Sequence, residues 1–149
     1  MKMKKIFIIL MTVLFIFSLA GCESSSSPSS SSPNEEYVCS MVKKYRNMLK
    51  DPSSLTIYND VYYFEKDSDI YVFFDASAKN SFGGAVKNGI IYKNGSYLGK
   101  YEDHDETGLS ADYYLGCAWY LRCKYYNDYT EKISGKTIAN EVGCAFLAT

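Results

Sequence analysis

"VKNGIIYKNGSYLGKY", residues 86–101, is the stretch whose reading decides the fold. Two apolar-aromatic runs, 86–93 and 96–101, flank Asn94-Gly95. Asn-Gly tolerates the positive φ that a two-residue hairpin demands at both central positions, so the runs are expected to pair antiparallel. Upstream, residues 55–64 are rich in β-branched and aromatic side chains. Residues 69–75 alternate Ile70, Val72 and Phe74 against Tyr71, Phe73 and Asp75, a period of two that reads as strand. The four runs predict an antiparallel sheet of four strands.

Helical patterns flank the sheet. In residues 35–50, Val38, Met41, Val42, Tyr45, Met48 and Leu49 recur at spacings of three and four and form one apolar stripe. Asn34 is the expected N-cap, Glu35 and Glu36 suit the first turn, and Asp51-Pro52 stops the helix. Residues 110–126, capped by Ser110, and residues 134–143, ending on Gly143, predict two further helices. The expected class is α+β: an N-terminal helix, about four strands, and C-terminal helices on one face of the sheet.

Two motifs within this pattern resemble a group of small exported bacterial domains. They are Leu49-Lys50-Asp51-Pro52-Ser53-Ser54 and Ala78-Lys79-Asn80-Ser81-Phe82-Gly83-Gly84. The group carries an L-K-D-P-x-S helix end and an A-K-N-S-F-G-G turn, often with Cys-Gly just before the turn, where this chain has Phe74-Asp75. The resemblance implies a fold and supplies no activity. On residue chemistry alone, Gly83-Gly84 suits a bulge or a turn with positive φ. Lys79, Asn80 and Ser81 are then candidate ligand-binding residues.

The N-terminus gives an address. Lys2, Lys4 and Lys5 precede an apolar run at 6–17, broken only by Thr12, and small residues follow at 18–21. This is the layout of a secretory signal peptide; a membrane span needs about 20 apolar residues, longer than this run. Leu19-Ala20-Gly21-Cys22 resembles the lipobox of bacterial lipoproteins. The resemblance implies that Cys22 receives diacylglycerol, that the chain is cut before it, and that palmitate-type acyl chains hold the protein at the extracytoplasmic face of the cell membrane. Ser18 and Ala20 also fit an ordinary signal-peptidase cut, which leaves a soluble product. Residues 24–32, almost all serine, with Pro28 and Pro33, have no apolar surface to offset ordering and read as a tether. The expected organisation is a signal peptide at 1–21, lipidated Cys22 and tether at 22–33, and one α+β domain at 34–149.

Charge and composition exclude several classes. Removing residues 1–21 takes away three lysines and no acids, which leaves 13 basic residues against 17 acidic and a net charge of −4. Nucleic acid and anionic lipid both attract basic clusters, so neither is an expected ligand, and the acyl chains must do the holding. All fifteen tyrosines lie beyond the leader. Tyrosine buries a ring and keeps its hydroxyl hydrogen-bonded, which suits a wet-rimmed core or an aromatic contact surface. Trp119 and Tyr120 are the aromatic candidates for such a surface.

Cys39, Cys117, Cys123 and Cys144 remain after lipidation. In an exported chain they suit two disulfides, or else stay as buried thiols. Cys117 and Cys123 stand six apart on one expected helix, about 9 Å along its axis, too far to bridge each other. Each would pair with Cys39 or Cys144. A metal site lacks its ligand spacing. Asp103, Asp105 and Gly108 match positions 1, 3 and 6 of a calcium loop, but Tyr114 stands where the bidentate glutamate belongs. His104 is the sole histidine, and no hydrolase or phosphate-loop motif is present, so neither an enzyme nor a cofactor is expected. The sequence therefore points to a lipid-anchored binding or interaction lipoprotein with a protein or glycan ligand at the cell surface. The second reading is a defensive lipoprotein that inhibits a wall-degrading enzyme or blocks phage entry.

Overall fold

Asn94 and Gly95 both take positive φ, 49° and 79°. The strands they join, β3 (Ala85–Lys93) and β4 (Ser96–Tyr101), pair antiparallel with Lys93 opposite Ser96. The structure, a computed structural model, describes residues 31–101 and 110–149. The leader, Cys22, most of the serine tract and the acidic loop containing Asp103, His104 and Asp105 lie outside the described residues. β1 (Thr56–Lys66) and β2 (Asp69–Lys79) complete the four-strand antiparallel meander that the alternation predicts.

Among the described residues the class is α+β, as expected, with a sheet of six strands instead of four. The two additions are β5 (Glu131–Ile133) and β6 (Ala145–Leu147), each too short to show a period in the sequence. Both lie beside β1. β5 runs antiparallel to Val61, Tyr62 and Tyr63, whereas β6 runs parallel to Thr56, Ile57 and Tyr58. Between them the register slips at a bulge in which Asn59 has φ 57°. The Asn59 side chain accepts from the Thr149 N–H and donates to its hydroxyl, both at 2.9 Å, and so ties the end of the chain to the bulge.

The helices are α1 (Pro33–Met48), α2 (Ala111–Tyr126) and α3 (Gly135–Val142). α1 starts earlier than its apolar stripe suggests. Ser32 is the N-cap, its hydroxyl accepting from Glu35 N–H, and Pro33 supplies the preset φ of a first helical residue. Asn34, the expected cap, sits inside the helix and donates to Glu131 at 2.7 Å. α2 carries its expected cap, Ser110, and α3, which Ser134 caps, ends as expected on Gly143 in the left-handed region.

The helices lie on both faces of the sheet, a correction to the one-face arrangement. Val72, Phe74, Ala76, Ile90 and Tyr92 pack with Val38, Val42, Ile138 and Ala139 of α1 and α3. The alternate side chains Tyr71, Phe73 and Ile91 pack with Tyr120 and Cys123 of α2. Burial on both sides explains why 71–77 is buried without a break. The fit is close at α3: a Cβ on Gly135 would lie 1.7 Å from the Asn59 carbonyl oxygen, so only glycine fits where α3 crosses the bulge.

The same two-sided packing overturns the expected disulfides. Cys39 and Cys144 belong to the α1/α3 side, Cys117 and Cys123 to the α2 side, and the sheet stands between them. All four are free thiols. Burial pushes each upward in pKa, Cys123 to about 12, and its Sγ donates to the Asp128 carbonyl at 3.0 Å.

Candidate functional site

The β2–β3 connection is built from the sequence outward. Asn80 folds its side chain back so that Oδ1 accepts from Phe82 N–H at 2.9 Å and Gly84 N–H at 3.0 Å. This is an Asx turn, the local bonding that makes asparagine a turn residue. Asn80 N–H also donates to the Gly84 carbonyl at 2.8 Å, and Gly83 N–H to the Asn80 carbonyl at 3.0 Å. Gly83 takes φ 81°, a conformation that costs glycine little. Four hydrogen bonds thus fix five residues.

A second segment braces the turn from below. After α1 the chain makes a 3-10 turn at Pro52–Ser54, capped by Asp51, whose carboxylate accepts from Ser53 N–H at 3.2 Å. Ser54 hydroxyl then accepts from Lys79 N–H at 2.9 Å, and Lys50 Nζ donates to Ser81 Oγ at 2.9 Å. The two motifs, 49–54 and 78–84, are therefore one structural unit.

What this unit presents is Phe82, 96% exposed, with Val86 exposed nearby. Residues 79–87 are exposed in an unbroken run, so this end of the hairpin projects from the domain. Hiding a phenylalanine from water is worth about 1.5–3 kcal/mol; here the ring is held out in solvent by an ordered turn. Lys50, Lys79 and Asp51 are charged residues of the two braced segments that carry it. The neighbouring Ser53 bonds, with Lys79 adding to them, hold the Asp51 carboxyl below the usual carboxylate range.

The aromatic candidates on α2 are placed differently. α2 is apolar around most of its circumference, and packing on the sheet covers only part of it. Tyr120 is buried; its hydroxyl donates to Asp75 and its ring meets Phe73 and Tyr101. Trp119 is half-buried over a cleft of about 390 Å³, but its ring is already engaged by Phe64 and by the Arg122 guanidinium, each centred 5.0 Å away. Arg122 is in turn paired with Asp128 at 2.7 Å. Tyr114, near the start of the helix, and Tyr125 and Tyr126, at its end, are the exposed rings. The structure therefore does not join Trp119 and Tyr120 into one aromatic patch, nor either of them to Lys79, Asn80 and Ser81.

Phe82 itself is the residue that sequence reasoning missed. An aromatic side chain is counted toward the core by default, yet this one stands between turn formers, outside any period of two. Comparison of the chain with protein-family models, curated proteins and solved structures gave no match.

Proposed function

We propose that this chain is a lipid-anchored, extracytoplasmic binding protein that engages a protein partner at the cell surface through the Phe82 turn. The observation that carries the reading is the exposure of Phe82 on a turn whose conformation is fixed from two sides. A preorganised aromatic side chain loses little freedom on docking, and such residues commonly anchor interfaces. The partner offers an apolar pocket for the ring and acidic groups at its rim for Lys50 and Lys79. Attachment rests on the leader and on Cys22. Two or more acyl chains anchor stably where one is marginal. No helix of the described residues is long and apolar enough to cross a membrane. The chain enters the domain beside Glu131, near the Lys66–Asp69 end of the sheet, whereas the Phe82 turn occupies the other end.

A defensive role is the second reading, and the projection of residues 79–87 favours it. A convex, aromatic-tipped hairpin is a shape that fills an enzyme cleft. Clefts that cleave glycosidic bonds generally carry a carboxylate pair, which suits a tip flanked by lysines.

Binding of the leaderless chain to an envelope extract, compared between wild type and Phe82→Ala, tests the proposal. Loss of saturable binding in the variant supports it, and equal binding by both proteins removes the Phe82 turn from the account. Inhibition of a muralytic activity in the same extract, abolished by Phe82→Ala, selects the second reading.

A further inference from the structure

On the α2 face of the sheet, away from the Phe82 turn, a buried carboxylate organises two lysines. Asp75 is 6% exposed at the centre of β2. One oxygen accepts from the Tyr120 hydroxyl and the other from Lys124 Nζ at 2.8 Å. Lys124 also donates to the Tyr120 oxygen at 2.8 Å. These contacts already give each carboxylate oxygen a close hydrogen bond. Lys87 is a second cation on the same oxygen, at a looser 3.5 Å, with its ammonium 4.6 Å from the Tyr58 ring centre. Gly89 lets the group assemble, since a Cβ there would lie 2.5 Å from the Tyr120 ring.

The result is a depression of about 210 Å³ lined by Asp75, Lys87, Gly89, Tyr101, Tyr120 and Lys124, among others. Among the described residues, two ammonium groups against one carboxylate leave it with a surplus positive charge. Neutralising Asp75 requires one lysine. The second is held at the edge of an open depression large enough for a small polyatomic ion and bordered by tyrosine rings, where a charge-assisted bond to an anion can form.

We propose that this depression is a binding site for a compact oxyanion, a phosphate or carboxylate group, gripped by Lys87 and Lys124, with Asp75 as the resident counter-charge that pairs with both ammonium groups and competes with the ligand for them. Lys87 swings from its long contact with Asp75 onto the ligand, and Lys124 shares its remaining N–H. Tyr101 and Tyr120 form the wall. The site shares Lys87 with the exposed run 79–87 but none of the residues of the turn at 80–84.

The test is a titration of the leaderless chain, carrying Cys22→Ser, with inorganic phosphate and in parallel with a glycerol-phosphate oligomer, followed by amide NMR shifts at constant ionic strength. Saturable shifts at Gly89, Tyr101 and Lys124 are expected. Saturation by the free ion at least as tight as by the oligomer places the ligand among small solutes; tighter binding of the oligomer places it on a polymer. Lys87→Met is expected to weaken binding at least tenfold. Its side chain is 39% exposed and its loss leaves Asp75 with Tyr120 and Lys124, so the fold survives. Asp75→Asn, which removes the competing charge and keeps an acceptor, is expected to tighten binding at least threefold. Non-saturable shifts with both ligands, or a phosphate affinity unchanged in Lys87→Met, overturn the proposal and leave the lysines as internal partners of Asp75, Tyr120 and Thr149.

Discussion

The main-chain N–H of Lys79 donates to the hydroxyl of Ser54 at 2.9 Å, across 25 positions of sequence. With the Lys50–Ser81 contact, it couples the end of α1 to the turn that carries Phe82. Ser54→Ala should therefore act at a distance from its own position. A single hydrogen bond of this kind is worth about 1 kcal/mol, and a urea melt should show a loss of that order. Amide exchange should quicken at residues 79–84 more than in β1. Uniform exchange changes throughout the sheet would contradict the coupling.

Gly135→Ala should be the most damaging conservative change in the domain. The new Cβ would meet the Asn59 carbonyl at 1.7 Å, and main chain cannot swing aside as a side-chain tip can. Overpacking costs about 1–3 kcal/mol and sometimes more; a loss of about 3 kcal/mol or greater is expected here, measured by chemical denaturation. Gly83→Ala, in the exposed turn with open space around it, should cost less than Gly135→Ala despite its positive φ.

Tyr120 and Gly89 should be energetically coupled. Gly89→Ala alone should destabilise strongly, because the Tyr120 ring occupies the space the methyl needs. In a Tyr120→Ala background the same change should cost much less. A coupling of about 0.5–3 kcal/mol in the double-mutant cycle is the expected result. Tyr120→Phe keeps the ring but withdraws one donor from buried Asp75, and should cost about 1–3 kcal/mol.

Alkali should unfold the domain. Burial pushes Tyr45 from 10.0 to about 12 and Cys123 from 9.0 to about 12, and raises Tyr92 and Tyr120 as well. Folded-state values above unfolded ones mean that the unfolded chain releases protons first. Stability contributed by these groups is complete below about pH 9 and falls as pH rises toward 12. In a spectrophotometric titration Tyr45, Tyr63, Tyr71, Tyr92 and Tyr120, all raised by burial, should ionise together with loss of tertiary structure. A single smooth titration with the fold intact would contradict this.

Local chemistry explains which parts of the structure were legible beforehand. The Asn94-Gly95 hairpin, the alternation in β2, the cap at Ser110 and the helix end at Gly143 are all set by neighbours in sequence, and each forms where its pattern predicts. β5 and β6 are three residues each and exist only because the two halves of β1, separated by the Asn59 bulge, offer open edges. The side of the sheet each helix takes depends on chain path, which no local period encodes, and the cysteine pairing was misjudged for that reason. At the candidate site, Lys79, Asn80 and Ser81 were legible as turn chemistry. Phe82 was not, because exposure is a property of the assembled surface. Trp119 and Tyr120 looked alike on a helix apolar all round; only packing separated a ring held by Phe64 and Arg122 from one committed to Asp75.

The measurement that bears most directly on the central claim is binding of the chain from residue 22, carrying Cys22→Ser, to an envelope extract, read by fluorescence anisotropy. Three proteins are compared: the parent, Phe82→Ala and Trp119→Ala. Phe82 touches no core, so its replacement should leave stability within about 0.5 kcal/mol, the usual range for surface positions. The account predicts saturable binding by the parent and by Trp119→Ala, with at least a tenfold loss in Phe82→Ala. Undiminished binding by Phe82→Ala, with its fold intact by circular dichroism, would contradict it.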